Sequence, residues 1–165
     1  MVVSVEIRRK QHKPGLLDRI QRSLSGPKQV KVGLPNGEAA GDIIKIGIYN
    51  HFGTKGSGKG FVRNGVWGFG GPIPERPFLS NAMRDNRNKY RDGMQTAARA
   101  ILAGEYDMRT ALNRLGIMAQ GDIQSEIQSL STPPNSPVTV AIKGSSNPLV
   151  DTGRLGQSIT WAVDE

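Results

Sequence analysis

The chain has 165 residues and a mass of 17.8 kDa, which is the size of one ordinary domain. It carries a formal net charge of +8, contains no cysteine and has two histidines, His12 and His51. Disulfides, thiolate nucleophiles and cysteine-ligated metal sites are therefore excluded, and histidine-dependent catalysis is disfavoured. We predict a non-enzymatic protein without metal or cofactor. Because no apolar run reaches the roughly 18–20 residues of a membrane span, no membrane partner is expected.

The positive charge is concentrated near the N-terminus. Residues 1–31 hold eight basic and two acidic residues. Arg8, Arg9, Lys10 and Lys13 form the densest group and are candidates for contact with DNA or an acidic protein surface. The alternative is a solvated face that only aids solubility.

The first third of the chain predicts two strands around a short helix. Alternating apolar residues indicate strands at 3–7 and 30–34, and Leu16, Leu17, Ile20 and Leu24 share one helical face between them. Residues 42–52 fit a strand through Ile44, Ile46 and Ile48, but they also fit a short helix. The sequence leaves both structures open there.

Residues 53–72 are rich in glycine, with eight glycines between Gly53 and Gly71. Such a segment gains too little from burial to offset the entropy of ordering, so we predict a long mobile loop. Phe61, Trp67 and Phe69 within it are candidate partner contacts that become ordered on docking.

The start of this loop also mimics a nucleotide-binding motif. GTKGSGKG at 53–60 differs by one residue from the phosphate-binding pattern that ends in Gly-Lys-Ser/Thr. Gly60 stands where a hydroxyl should bind magnesium, and the glycine-rich sequence that follows does not favour the required helix. We interpret the match as coincidental.

Long helices are predicted next. Apolar residues at helical spacing run from Leu79 to Leu102, and a second stripe runs from Met108 to Leu130. Asp107 is the predicted N-cap of the second helix, and Pro133-Pro134 ends it. The short connection predicts antiparallel, neighbouring helices.

The last third returns to strand patterns. Val138, Val140 and Ile142 alternate, and Ile159, Trp161 and Val163 do so again. Residues 151–157 between them predict one helical turn capped by Asp151 or Thr152. The fold class is therefore α+β: one domain over residues 1–165, with an antiparallel or mixed sheet packed against two long antiparallel helices.

Three segments resemble a known pattern. YNHFGT at 49–54, IPERPFLSNAM at 73–83 and NPLVDTGRLGQSI at 147–159 resemble, in this order, the bacteriophage virion-morphogenesis family of minor tail, neck and tail-completion proteins. VKVGLP at 30–35 is similar to its first core strand, whereas His51 replaces an expected acidic residue. The matched positions predicted to shape the fold are Phe52, Gly53, Pro77, Phe78, Asp151, Thr152, Gly153 and Leu155.

The resemblance implies a structural virion protein of the neck or the head-proximal end of a tail, assembled in the host cytoplasm. Such a protein forms a homo-oligomeric ring, here predicted to be a hexamer, that completes the tail, joins it to the head and lets packaged DNA pass. Its neighbours would be other neck, tail-terminator or tail-tube proteins. Arg154 is a candidate to reach a carboxylate across the fold or a subunit interface. The competing hypothesis is a sequence-nonspecific nucleic-acid-binding protein that uses the basic N-terminal residues.

Overall fold

A computed structural model describes residues 15–35 and 39–164. Within this part of the chain the helices are α1 Leu16–Leu24, α2 Gly41–Phe52, α3 Phe78–Asp85, α4 Arg87–Ala103, α5 Met108–Ser129, α6 Pro137–Lys143 and α7 Arg154–Gln157. The strands are β1 Val30–Gly33, β2 Gly60–Arg63, β3 Val66–Phe69 and β4 Thr160–Val163. The predicted strand at 3–7 lies outside the described residues.

The described residues form an α+β fold with two small antiparallel sheets. One sheet pairs β1 with β4, from Val30 opposite Val163 to Gly33 opposite Thr160. It confirms the strands predicted near both ends, and it packs against α5. The other sheet is the β2–β3 hairpin.

Helix α5 is the central element. Its N-cap is Asp107, whose side chain accepts a hydrogen bond from the backbone N–H of Thr110, as the sequence predicts. Ile123 and Ile127 on one face of α5 are fully buried together with Phe78 and Ile159. These four side chains join α3, α5 and the start of β4 into the main hydrophobic core.

The helix predicted over 79–102 is two helices. Asn86 separates α3 from α4, with φ −98° and ψ 11°, and its side chain donates to the carbonyl of Ala82 at 3.0 Å. A side chain that bonds to the preceding turn competes with the regular helical pattern, which explains the break. Helix α4 ends at Gly104 in the left-handed conformation and packs on α5.

The strand predicted at 138–142 is wrong, because these residues form α6. Ser136 caps α6 by accepting from the N–H of Thr139, and Pro137 occupies the first turn. Proline in that position and a serine cap favour a helix strongly enough to override the alternation of β-branched residues. The open assignment at 42–52 is also resolved as a helix, since Ile43, Gly47 and His51 form its buried stripe.

The glycine-rich segment is not one long irregular loop. It contains the β2–β3 hairpin, whose turn residues Asn64 and Gly65 have φ of 53° and 73°. Asn-Gly is the residue pair that tight hairpin turns with two positive φ angles prefer. The hairpin contacts α6, and the side chain of Asn64 donates to the carbonyl of Ile142 at 3.3 Å.

Across residues 15–35 and 39–164, none of the helices combines the length and the apolar character needed to cross a membrane.

Candidate partner-binding groove and apolar surfaces

The three sequence segments that resemble the virion family meet in space. Pro77 is the residue before α3, and Phe78 after it is completely buried in the main core. Leu155 of α7 lies in the same core, beside Ile43 of α2. Phe78 and Leu155 are therefore both residues of the main core.

The chain passes from α2 into an extended segment at Gly53. A Cβ on this residue would lie 2.8 Å from the carbonyl oxygen of Ile73, and its φ is 71°. Thr54 and Ile73 then form a bridge in which each backbone N–H donates to the carbonyl of the other. Gly53 is therefore required both by the backbone conformation and by the closeness of the opposite strand.

Arg76 is a buried cation that ties the segments together, and only 3% of its surface is exposed. Its guanidinium donates to the carbonyls of Pro133 at 2.8 Å and Pro134 at 3.0 Å. It also donates to the side-chain oxygens of Asn50 at 3.2 Å and Asn135 at 3.4 Å. All four acceptors are uncharged, so none of the carboxylates among the described residues neutralises Arg76 within hydrogen-bond distance.

Arg76 lines a groove of about 850 Å³, referred to below as the groove. Its walls are α2, Arg63 of β2, the segment 72–76, the loop 134–136, α6 and the turn 148–155. The charged side chains that line it are Asp42, Arg63, Arg76, Lys143, Asp151 and Arg154. Four cations therefore face two carboxylates.

Lys143 is the second inner cation of the groove. Its Nζ donates to the carbonyls of Asn147 at 2.8 Å and Pro148 at 3.4 Å. Burial lowers the pKa of the Lys143 ammonium; Asp151 raises it and Arg76 lowers it. Within residues 15–35 and 39–164, Lys143, like Arg76, has no carboxylate at hydrogen-bond distance.

Arg154 reaches a carboxylate of its own chain. The sequence left open whether this carboxylate would lie across the fold or across a subunit interface, and the structure has it across the fold. Nη1 of Arg154 lies 3.2 Å from Oδ2 of Asp42, and both side chains are more than half exposed. Exposed pairs of this kind contribute about 0.2–1 kcal/mol to stability. The pair therefore joins two side chains at the rim of the groove and contributes little to the stability of the fold.

The predicted cap at 151–157 is wrong. Gly153, with φ 78°, is the N-cap of α7, and no side chain accepts a hydrogen bond there, so Asp151 and Thr152 do not cap it. The N-cap position falls on a glycine, which has no side chain that could accept a hydrogen bond. The preceding turn is organised separately by Asn147, whose Oδ1 accepts from the backbone N–H groups of Leu149 and Val150 at 3.0 Å each.

The hairpin and α2 are two of the surfaces that expose large apolar side chains. On the hairpin, Trp67 and Phe69 are 60% and 62% exposed, and their rings form an edge-to-face pair with centroids 4.7 Å apart. Phe61 is less exposed, because it packs beside Gly68. On α2, the exposed apolar side chains are Ile46, Ile48, Tyr49 and Phe52.

His51 is buried between two rings, those of Phe52 at 4.6 Å and Phe78 at 5.4 Å. Its Nε2 lies 3.4 Å from Oγ of Ser80, and its Nδ1 is buried without a hydrogen-bond partner among the described residues. Burial lowers the pKa of His51, and Glu75 raises it by a smaller amount. The imidazole therefore packs as a neutral core group.

The residues resembling a phosphate-binding loop do not have the structure of one. Gly60, where the motif needs a hydroxyl, begins strand β2, and the next helix along the chain is α3 at Phe78. A phosphate-binding loop must lead directly into a helix N-terminus. In the described part of the chain, no three His, Asp or Glu side chains are grouped so that they could hold a metal.

Arg8, Arg9, Lys10 and Lys13 lie outside the described residues, so their predicted contact with DNA stays a prediction. Sequence reasoning missed Arg76 and Lys143 as a pair, because each is an ordinary basic residue in its local sequence. The doublet Pro133-Pro134 was the available signal, since its carbonyls have no helical partners and need donors.

Comparison of the chain with protein-family models, curated proteins and solved structures gave no significant match.

Proposed function

We propose that the protein is a structural subunit of a phage virion, located at the neck or the head-proximal end of the tail, where it forms a ring that completes the tail and joins it to the head. The proposal begins from the order and content of the three segments at 49–54, 73–83 and 147–159. It is supported by their meeting around one core and one groove, although about 65 residues separate the second segment from the third.

The exposed apolar surfaces are the observation that carries the proposal. Soluble monomers rarely keep clusters of large exposed apolar side chains unless these contact a partner. Trp67 and Phe69 project from a hairpin, and Ile48, Tyr49 and Phe52 lie on a helix whose opposite side is buried. In the proposed ring, these surfaces contact neighbouring subunits or the adjoining ring.

The proposed subunit uses its sheet and two long antiparallel helices as a rigid body, and the hairpin as an extension. Such a division suits an assembly protein, because the body sets the ring dimensions while an extension reaches the next component. The proposed number of copies is six. Closed rings of identical subunits need two different complementary patches, and the α2 surface and the hairpin are candidates for these patches.

Deletion of the gene from a phage genome that encodes the chain tests the proposal. We expect filled heads and unattached tails by negative-stain electron microscopy, and joined particles when the chain is supplied in trans. Gold-labelled antibody against the chain should mark the head–tail junction. Normal, infectious virions after deletion would refute the proposal.

A further inference from the structure

The inner part of the groove holds two cations with unused hydrogen-bond donors. A guanidinium has five N–H donors, and the residues described give Arg76 four bonds, which leaves one N–H of Nη1 without an acceptor. An ammonium has three donors, and Lys143 uses two. Each cation thus retains one donor for a ligand.

The position of these cations is fixed by the fold. Arg76 is held by backbone carbonyls of the loop 133–135, and Lys143 by carbonyls of residues 147 and 148. Donors that are already oriented lose little entropy when an anion binds, and partial burial strengthens their interaction with it. The site is therefore preorganised for negative charge.

The uncharged lining of the groove combines aliphatic and polar groups. The aliphatic part consists of Ile43, Ile46, Ile73, Leu149 and Leu155 with prolines 72, 74, 134 and 148, and the polar part consists of Asn50, Asn135, Ser136, Thr139 and Thr152. Its lining residues include no aromatic ring on which a nucleic-acid base could stack. A volume of about 850 Å³ accommodates several side chains rather than a single small ion.

We infer that the groove binds a peptide segment of a partner protein in which an aspartate or glutamate is flanked by aliphatic residues, with the carboxylate placed between Arg76 and Lys143. The aliphatic side chains of the segment contact the isoleucine and leucine lining. Arg63 at the groove wall adds a third positive charge. This inference is independent of the proposed ring, because it states the chemistry of the segment and not the identity of the partner.

Asp151 opposes the binding of such a segment. It lies in the groove lining, is exposed, and is close enough to raise the pKa of Lys143. The other carboxylate of the lining, Asp42, is already paired with Arg154. Removing the charge of Asp151 should therefore strengthen binding, whereas removing the charge of Lys143 should weaken it.

Selection from a random library of twelve-residue displayed peptides tests the inference without a known partner. The whole chain is immobilised as wild type, Lys143→Met, Asp151→Asn and the control Lys59→Met, whose lysine lies outside the groove lining. We expect wild type and Lys59→Met to enrich peptides with Asp or Glu beside aliphatic residues. The best such peptide should bind Lys143→Met about tenfold or more weakly, and Asp151→Asn more tightly.

Competition assays distinguish the binding of an acidic peptide from the binding of other anions. A selected peptide should be displaced by an unlabelled copy but not by the copy with Gln or Asn in place of its acidic residue. Three results would overturn the inference: selection without acidic enrichment, equal binding to Lys143→Met and Lys59→Met, or displacement by inorganic phosphate or a single-stranded oligonucleotide at lower concentration than by the peptide. Circular dichroism of each variant establishes that it is folded, and Asp151→Asn, at an exposed site, provides a test that does not depend on Lys143.

Discussion

Arg76 bonds to Asn50 through both its backbone and its side chain. The N–H of Arg76 donates to the carbonyl of Asn50 at 2.7 Å, and its Nη1 donates to Oδ1 of the same residue at 3.2 Å. The end of α2 is thereby joined to the start of α3, while the other donors of Arg76 hold the loop after α5. One buried side chain therefore connects three parts of the chain that are distant in sequence.

Replacing Arg76 should destabilise the protein strongly. We expect Arg76→Lys to lower the free energy of unfolding by about 2–4 kcal/mol, because a lysine cannot bond to acceptors in several directions and leaves buried oxygens unpaired. Arg84→Lys, at an exposed position of α3, should change it by less than about 0.5 kcal/mol. Urea denaturation compares the two, and equal stabilities would contradict the role assigned to Arg76.

Two glycines of α5 should respond in opposite directions to alanine. A Cβ on Gly116 would lie 2.6 Å from Cγ of Trp161, so Gly116→Ala should destabilise by about 1–3 kcal/mol despite a better helix propensity. Gly121 has open space around its Cα, and Gly121→Ala should stabilise by about 0.5–1 kcal/mol. Thermal denaturation measures both. If both variants shift the midpoint in the same direction, the packing of β4 on α5 described here is wrong.

Folding stability should fall as the pH falls below about 6.5 because of His51. Burial lowers the pKa of His51 from its ordinary value of 6.5, so the unfolded chain binds a proton more readily than the folded one. The stability that neutral His51 provides is fully present above pH 6.5, and it is lost as the pH falls towards and below the pKa of His51 in the folded protein. Urea midpoints between about pH 7.5 and pH 5.5 should fall less in His51→Gln than in the wild type. His12 is kept in both proteins. If the urea midpoints of the two proteins fell equally with pH, His51 would not be the group responsible.

The exposed rings of the hairpin should matter for assembly more than for folding. We expect the double variant Trp67→Ser/Phe69→Ser to keep its free energy of unfolding within about 1 kcal/mol, because both rings are mostly in solvent. The variant should fail to restore joined particles to a phage that lacks the gene. Leu102→Ser on α4, where the leucine is 54% exposed, is the matched control and should restore them. Full complementation by the double variant would exclude the hairpin as a contact.

The basic N-terminal residues provide the test of the competing function. We expect the free chain to leave the gel mobility of a duplex of about 30 base pairs unchanged at about 0.15 M salt. A nucleic-acid-binding protein would instead shift the duplex, and the shift would weaken steeply as salt rises. If replacement of Arg8, Arg9, Lys10 and Lys13 by Gln abolished such a shift, nucleic-acid binding would replace the proposed ring function.

Elements with strong local signals were predictable from the sequence. The cap at Asp107 and the apolar stripe after it predict the same helix, and large apolar residues at alternate positions, Ile159, Trp161 and Val163, predict strand β4. Residues 137–143 were misassigned because their alternating side chains favour a strand, whereas the local cap at Ser136 favours a helix. The break at Asn86 depends on one side-chain hydrogen bond, which periodicity does not report.

The groove could not be predicted in the same way. Its residues come from six parts of the chain, and the orientation of Arg76 depends on carbonyls 57 and 58 residues away. Local patterns carry no information about such contacts. The apolar surface of α2 was partly visible in the sequence. Residues 42–52 contain four isoleucines, a tyrosine and a phenylalanine, and one buried stripe of a helix cannot hold all six side chains.

The pairing of β1 with β4 has a consequence for synthesis. Val30 pairs with Val163, so the sheet cannot form until more than 130 further residues have left the ribosome. Helix α5 therefore emerges before β4, although β1 is already available, and Ile123 lacks Ile159 as a packing partner during that interval. We expect the nascent chain to depend on chaperones up to residue 163, and shortened chains that end before β4 to aggregate.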